Sequence, residues 1–134
     1  AEFYEGAVRL APADGAVWYN MGLYWQRAGL LKEAISAYRQ AISRDAELAY
    51  AYNNLGLCLM LTGKVREAGE VLNAGLQKDQ RSPDIHFNLA LVYRTIGDNA
   101  KAESYLERAK ALAPERKHIQ VTVEELDDWL ERMH

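Results

Sequence analysis

The side chains able to do chemistry are few, and their spacing argues against catalysis. The histidines are His86, His118 and His134, and the single cysteine is Cys58. His118 and His134 have no partners at metal-ligand spacing. Cys58 stands in an apolar stretch with no histidine in its own predicted helix, so a buried, inert thiol is expected. His86 shares a column with Trp18 and Tyr52 and is expected to fill an aromatic core slot. Glu124, Glu125, Asp127 and Asp128 cluster near the end of the chain. Paired carboxylates do acid–base work only in a cleft that moves their pKa; on a charged amphipathic helix they form a solvated outer face. Of Gly6, Gly15, Gly22 and Gly29 the last three recur at sevens, a packing rhythm rather than a phosphate-cradling loop. No set combines nucleophile, base and stabiliser. The expectation is a non-enzyme with no metal and no cofactor.

Composition limits what could position such side chains. The 134 residues suit one domain. With 49% apolar and 26% charged residues the chain has an ordinary globular profile. Lys plus Arg is 16 and Asp plus Glu 19, for a net charge of −3, which argues against nucleic-acid binding through a basic surface. No apolar run approaches the roughly 20 residues that span a bilayer, so no membrane insertion is expected. A single cysteine excludes an internal disulfide framework. No signal-peptide pattern follows Ala1. A cytoplasmic location is expected, with the periplasm also compatible. A first residue of Ala suggests a processed chain or a piece of a longer one.

Internal repetition organises everything else. At an offset of 34, Asn20 aligns with Asn54 and Asn88, Leu23 with Leu57 and Leu91, Gly29 with Gly63 and Gly97, and Ala34 with Ala68 and Ala102. Gly22 and Gly56 align with Ala90. Each copy reads as two helices. Val17, Trp18, Met21, Gly22 and Trp25 recur at three- and four-residue steps, Gly29 stops the run, and Ala34, Ile35, Tyr38, Ala41 and Ile42 begin a second one. Gly22, Gly56 and Ala90 are expected to face Ala34, Ala68 and Ala102, small against small, so that paired helices approach closely. The result is a layered all-α solenoid.

Trp18-x-x-Met21-Gly22-x-x-Trp25 followed by Ala34-x-x-x-Tyr38 resembles the tetratricopeptide repeat, whose signature and period it shares. The second copy departs at Tyr52, Leu59, Leu72 and Gln80. The third departs at His86 and Ala90 but keeps the terminal proline as Pro114. The resemblance implies a right-handed superhelix of antiparallel helix pairs, a single domain over 1–134. Residues 1–14 would hold the second helix of a partial repeat, with full repeats at 15–48, 49–82 and 83–116 and a capping helix at 117–134. The stripe Ile119, Val123, Leu126 and Leu130 suggests one terminal helix from about 115 to 132, although Thr122 and Glu125 have capping-box spacing.

The resemblance also implies that the first helix of each pair lines a concave surface. The non-core stripe of those helices then supplies a candidate peptide-binding set: Tyr19, Asn20, Leu23, Arg27, Tyr50, Asn53, Asn54, Leu57, Met60, Leu61, Phe87, Asn88, Leu91 and Arg94. Side by side these would form an exposed apolar strip of the kind that marks an interaction surface. Asn20, Asn54 and Asn88 can each donate and accept, and so could track a peptide backbone. The arrangement is similar to the asparagine ladder of the O-GlcNAc transferase superhelix; the competing role for this column is hydrogen bonding between repeats. Some members of the family clamp a terminal carboxylate. Of the matching positions Tyr19, Leu23, Asn54, Asp84 and Asn88, only Asn54 fits, so no such clamp is expected. Arg27 and Arg94 would instead attract an acidic residue of the ligand.

The expected function is a non-catalytic scaffold or adaptor that binds a peptide or partner protein in the groove. Two alternatives stand beside it. One is self-assembly, a homo-oligomer formed through an open N-terminal edge at Phe3, Val8 and Leu10. The other is a targeting or regulatory module of a larger enzyme.

Overall fold

The computed structural model describes residues 14–133. The proposed partial repeat at the N-terminus, with Phe3, Val8 and Leu10, and also His134 therefore lie outside the described residues. Seven α-helices follow in order: α1 Gly15–Arg27, α2 Leu31–Arg44, α3 Ala49–Leu61, α4 Val65–Lys78, α5 Pro83–Ile96, α6 Asn99–Leu112 and α7 Leu126–Met133. A 3-10 turn at Lys117–Ile119 precedes α7. No strand occurs among the described residues.

Local chemistry sets the helix ends. Asp14 accepts the Ala16 N–H at 2.9 Å to open α1, and Ser82 accepts the Ile85 N–H at 3.1 Å to open α5. Pro83 occupies the first turn of α5, where a missing N–H costs little. Asp98 caps α6 through the Lys101 N–H at 3.1 Å. Within each hairpin the chain reverses at Gly29, Gly63 or Gly97, with φ of 79°, 86° and 98°, a region that disfavours any side chain.

Helices α1 and α2, α3 and α4, and α5 and α6 pack as pairs, and α2 on α3 and α4 on α5 join the pairs into a stack. The core runs continuously through it, with Tyr38, Leu59, Leu72, Leu89 and Leu106 fully buried. The expected small-against-small contact is corrected here. A Cβ on Gly22 would strike the Tyr38 ring, and one on Gly56 would strike Leu72. Each small residue therefore makes room for a bulky side chain one turn beyond the alanine column. The close approach is a knob in a hole rather than two flat surfaces.

The C-terminus also departs from expectation. No single helix spans 115–132. Ile119, Val121, Thr122 and Val123 crowd this stretch with β-branched residues, which lose side-chain freedom in a helix. Thr122 then ends the irregular segment by accepting the Glu125 N–H at 3.2 Å, the capping-box signal acting as a true boundary. Ile119, Val123 and Leu126 are still buried, so the apolar stripe covers the core without being one helix. The last carbonyls of α6 are served partly by Gln120, whose side-chain amide donates to the Ala113 carbonyl at 3.2 Å. Helix α7 then packs against α5, the first helix of the third pair, rather than continuing the stack upon α6.

Candidate binding face

Helices α1, α3 and α5 carry all the candidate residues. Their asparagines are largely spent on holding the repeats together. The Asn54 side-chain amide donates to the Tyr19 hydroxyl at 2.8 Å, and the Asn88 amide donates to the Asn53 side-chain oxygen at 2.8 Å. Tyr19 and Asn53 are equivalent positions, so one pattern is used twice: an asparagine reaches back to the preceding repeat. Asn88 is buried by this contact and Asn54 half-buried, while Asn20 is exposed. The ladder is thus an inter-repeat device at two of its rungs.

Around Asn54 lies a polar cluster. The Tyr38 hydroxyl, buried in the core, donates to the Gln26 side-chain oxygen. Burial drives the Tyr38 phenol far above its usual pKa, and burial likewise raises that of Tyr19 against the opposing hydrogen bond from Asn54. Both therefore remain neutral hydroxyls at physiological pH. Tyr19 packs edge-on against Tyr50, with ring centroids 4.4 Å apart, and Tyr50 is 46% exposed.

The remaining candidates divide by repeat. On α1 and α3, Leu23, Asn53, Leu57 and Leu61 are half-buried and Arg27 is exposed; Arg27 makes no ion pair among the described residues. Met60 is buried in the core, a correction to its place on an exposed stripe. On α5, Phe87 and Leu91 are also buried, and Arg94 is already paired. The exposed apolar strip is consequently smaller than its sequence pattern implies, and Tyr50 is its most exposed member.

Helix α7 is what closes the third repeat. Its Trp129 packs edge-on against Phe87, with centroids 5.2 Å apart, and His118 approaches the same ring at 6.4 Å. Arg94 grips Asp127 with both arms of its guanidinium, Nε and Nη2 donating at 3.0 and 2.9 Å, and a third donation goes from Nη1 to Asn99 at 2.9 Å. The hydrogen bonds from Arg94 hold the Asp127 carboxyl below the usual range. Their contribution is present above the ordinary carboxylate pKa and is lost as pH falls through the lowered one. Asp127 thus lies on the solvated face that its place in the acidic cluster suggested, its side chain 56% exposed, and is ion-paired there. Asp84 pairs with Arg116 at 2.8 Å. Nothing in the local sequence around Trp129 marked this contact: it spans more than a repeat and breaks the period.

Two of the groups that could have supported chemistry, His86 and Cys58, lie in the core. His86 is buried, with its Nδ1 2.7 Å from the Ser82 carbonyl. Burial pushes the Cys58 thiol up to about 12. In the folded protein Cys58 should react with a thiol reagent at pH 8 only after denaturation, and rapid modification of the native chain would contradict its placement. No helix among the described residues is long and apolar enough to cross a membrane.

Paired helices, hairpin glycines and inter-repeat amides define a helical-repeat solenoid, and comparison with known proteins agrees. The chain belongs to the tetratricopeptide-repeat family: residues 1–113 match the family model of the cilia and flagella-associated protein 70 middle TPR-like domain. Human protein O-mannosyl-transferase TMTC3 is 32% identical over 113 residues, covering 83% of this chain but 12% of that protein. The crystal structure of MamA superposes with a TM-score of 0.83 at 20% identity, covering 97% of this chain and 80% of that one. That of YrrB, described as "a TPR protein with an unusual peptide-binding site", superposes at 0.79 and 22%, covering 88% and 61%. Likenesses at these structural identities concern the fold.

Proposed function

We propose that the face of α1 and α3 holds an extended peptide or short helix from a partner protein, without chemical change to it. The observation that carries this reading is the Tyr19–Tyr50 aromatic pair beside exposed Asn20 and exposed Arg27, which makes no ion pair among the described residues. An aromatic platform supplies contact area at low entropy cost. The neighbouring amide can meet a peptide N–H or C=O, and Arg27 favours an acidic flank. A peptide-binding relative of the same fold supports the reading.

Asn20 is the informative position for a test. Asn54 and Asn88 bind other repeats, so their loss would disturb the stack as well as any ligand. Asn20→Ala should weaken partner binding by about 1 kcal/mol, the net worth of one hydrogen bond, with an unchanged melting temperature. Calorimetry showing unaltered affinity would remove Asn20 from the site.

A second reading has one observation in its favour. The match to a named transferase covers only an eighth of that protein. In this reading the chain is the targeting or regulatory segment of a larger enzyme, and the groove recognises that enzyme's substrate or anchor. Self-assembly through the N-terminal edge depends on residues outside those described and gains no support here.

A further inference from the structure

The third repeat shows what this kind of face accepts, because a piece of the chain already sits on it. Helix α7 delivers an acid and, two residues later, an aromatic ring. Asp127 goes to Arg94 and Trp129 to Phe87, while Leu126 is completely buried. Arg94 is one of the two cations that the sequence assigns to an acidic ligand residue. Phe87 occupies the column of Tyr19, the residue that carries the open platform in the first repeat.

Helix α7 is also poorly secured. Its main helix packing is on α5, whereas each earlier helix after α1 packs on the one preceding it. It has eight residues, and isolated helices below about 12–15 residues are marginal in water. Trp129 and Leu130 are only half-buried, and the Asp127 side chain is 56% exposed. The irregular segment before it contains one 3-10 turn. Ile119 and Val123 are buried upstream of α7, so part of the cover over the core does not belong to that helix.

We propose that α7 is a resident ligand of the face it covers, and that a partner helix with the same chemistry binds there by displacing it. That chemistry is an acidic residue for Arg94, an aromatic residue two positions later for Phe87, and an apolar residue beside the acid for the site of Leu126. The proposal rests on the reading of the first-helix face as a binding surface and adds a competitor in the same chain. A site closed by its own segment binds an outside ligand with an affinity reduced by the fraction of time it is open.

The probe is a fluorescein-labelled peptide with the sequence of residues 120–134, offered to the whole chain. Asp127→Lys with Trp129→Ala should free α7, seen as lost amide-exchange protection confined to residues 126–133. This variant should bind the peptide at least roughly ten-fold more tightly than the unaltered chain. Adding Arg94→Glu should abolish the gain. If the double variant loses helicity beyond α7, Asp127→Lys alone carries the same test with a smaller gain.

Equal affinity for the freed and unaltered chains would overturn the proposal and leave α7 as a cap. Persistent protection of 126–133 in the variant would overturn it too, since the two named contacts would then not hold the helix. Neither result touches the α1 and α3 surface, whose own test is the Asn20 and Tyr50 variants. Loss of that reading would appear instead as partner binding indifferent to those substitutions.

Discussion

Replacing Gly75 by Ala will destabilise the protein, and replacing Gly69 by Ala will stabilise it, although both glycines lie inside α4; Gly75 stands in the small-residue column of Ala41 and Ala109, Gly69 in that of Ile35. A Cβ at Gly75 would fall 2.6 Å from the Tyr52 Cβ and 3.3 Å from the Ile85 Cδ1. The Tyr52 Cβ is fixed to its backbone, so relief requires α3 and α4 to separate. Overpacking of this kind costs about 1–3 kcal/mol, and the gain in helix propensity, at most about 1 kcal/mol, only partly offsets it. The net expectation is a loss of about 1 kcal/mol, felt first within the second helix pair. At Gly69 the nearest atom to an added Cβ is the Val92 Cγ1 at 3.4 Å, an ordinary contact. The site opens onto a surface groove of about 330 Å³ bordered by Val65, Tyr93 and Ile96. Gly69→Ala should therefore gain about 0.5–1 kcal/mol from propensity alone. Urea titrations of the two single variants decide the matter: shifts of the same sign would mean that the packing at one of them is misplaced.

Leu72→Ala should be among the most damaging single changes, and Gly56→Ala should partly rescue it. Leu72 is completely buried in the middle repeat. Truncation to alanine costs about 2–5 kcal/mol, the spread reflecting how far the cavity collapses. Gly56→Ala alone forces a methyl onto the Leu72 side chain, at a cost of about 1–3 kcal/mol. In the double variant the methyl from position 56 enters the space that Leu72 vacated. The combined loss should fall short of the sum by about 1 kcal/mol or more, as contacting residues do when they share one volume. A double-mutant cycle with additive losses would show that Leu72 does not fill the hole above Gly56.

These two cases show which part of the fold lies in the sequence and which does not. The period, the hairpin glycines and the alanine columns are local and repeated, so they can be read directly, and they carry the helix pairs with them. The partner of each small residue is not local. Gly22 and Gly56 signal close approach, but only the helix rotation shows that Tyr38 and Leu72, not Ala34 and Ala68, fill the space. The asparagine column was legible as a column and ambiguous in purpose, because bonding to a ligand and bonding to the next repeat call for the same side chain. Geometry assigns Asn54 and Asn88 to the repeats and leaves Asn20 exposed. Burial of Phe87 had no local signature: it comes with a terminal helix that leaves the repeat path and returns to α5. The break before that helix was present in the sequence as Thr122 and Glu125, and the apolar stripe running across it obscured the boundary.

The central claim is that the α1 and α3 face binds a partner through Tyr50 and Asn20. The most direct measurement is a pull-down from lysate, read by mass spectrometry, with the unaltered chain beside a Tyr50→Ala, Asn20→Ala variant of matched helicity and melting temperature. The account predicts a protein captured by the first and absent from the second. A protein retained equally by both would contradict it and move the interaction to another face of the stack.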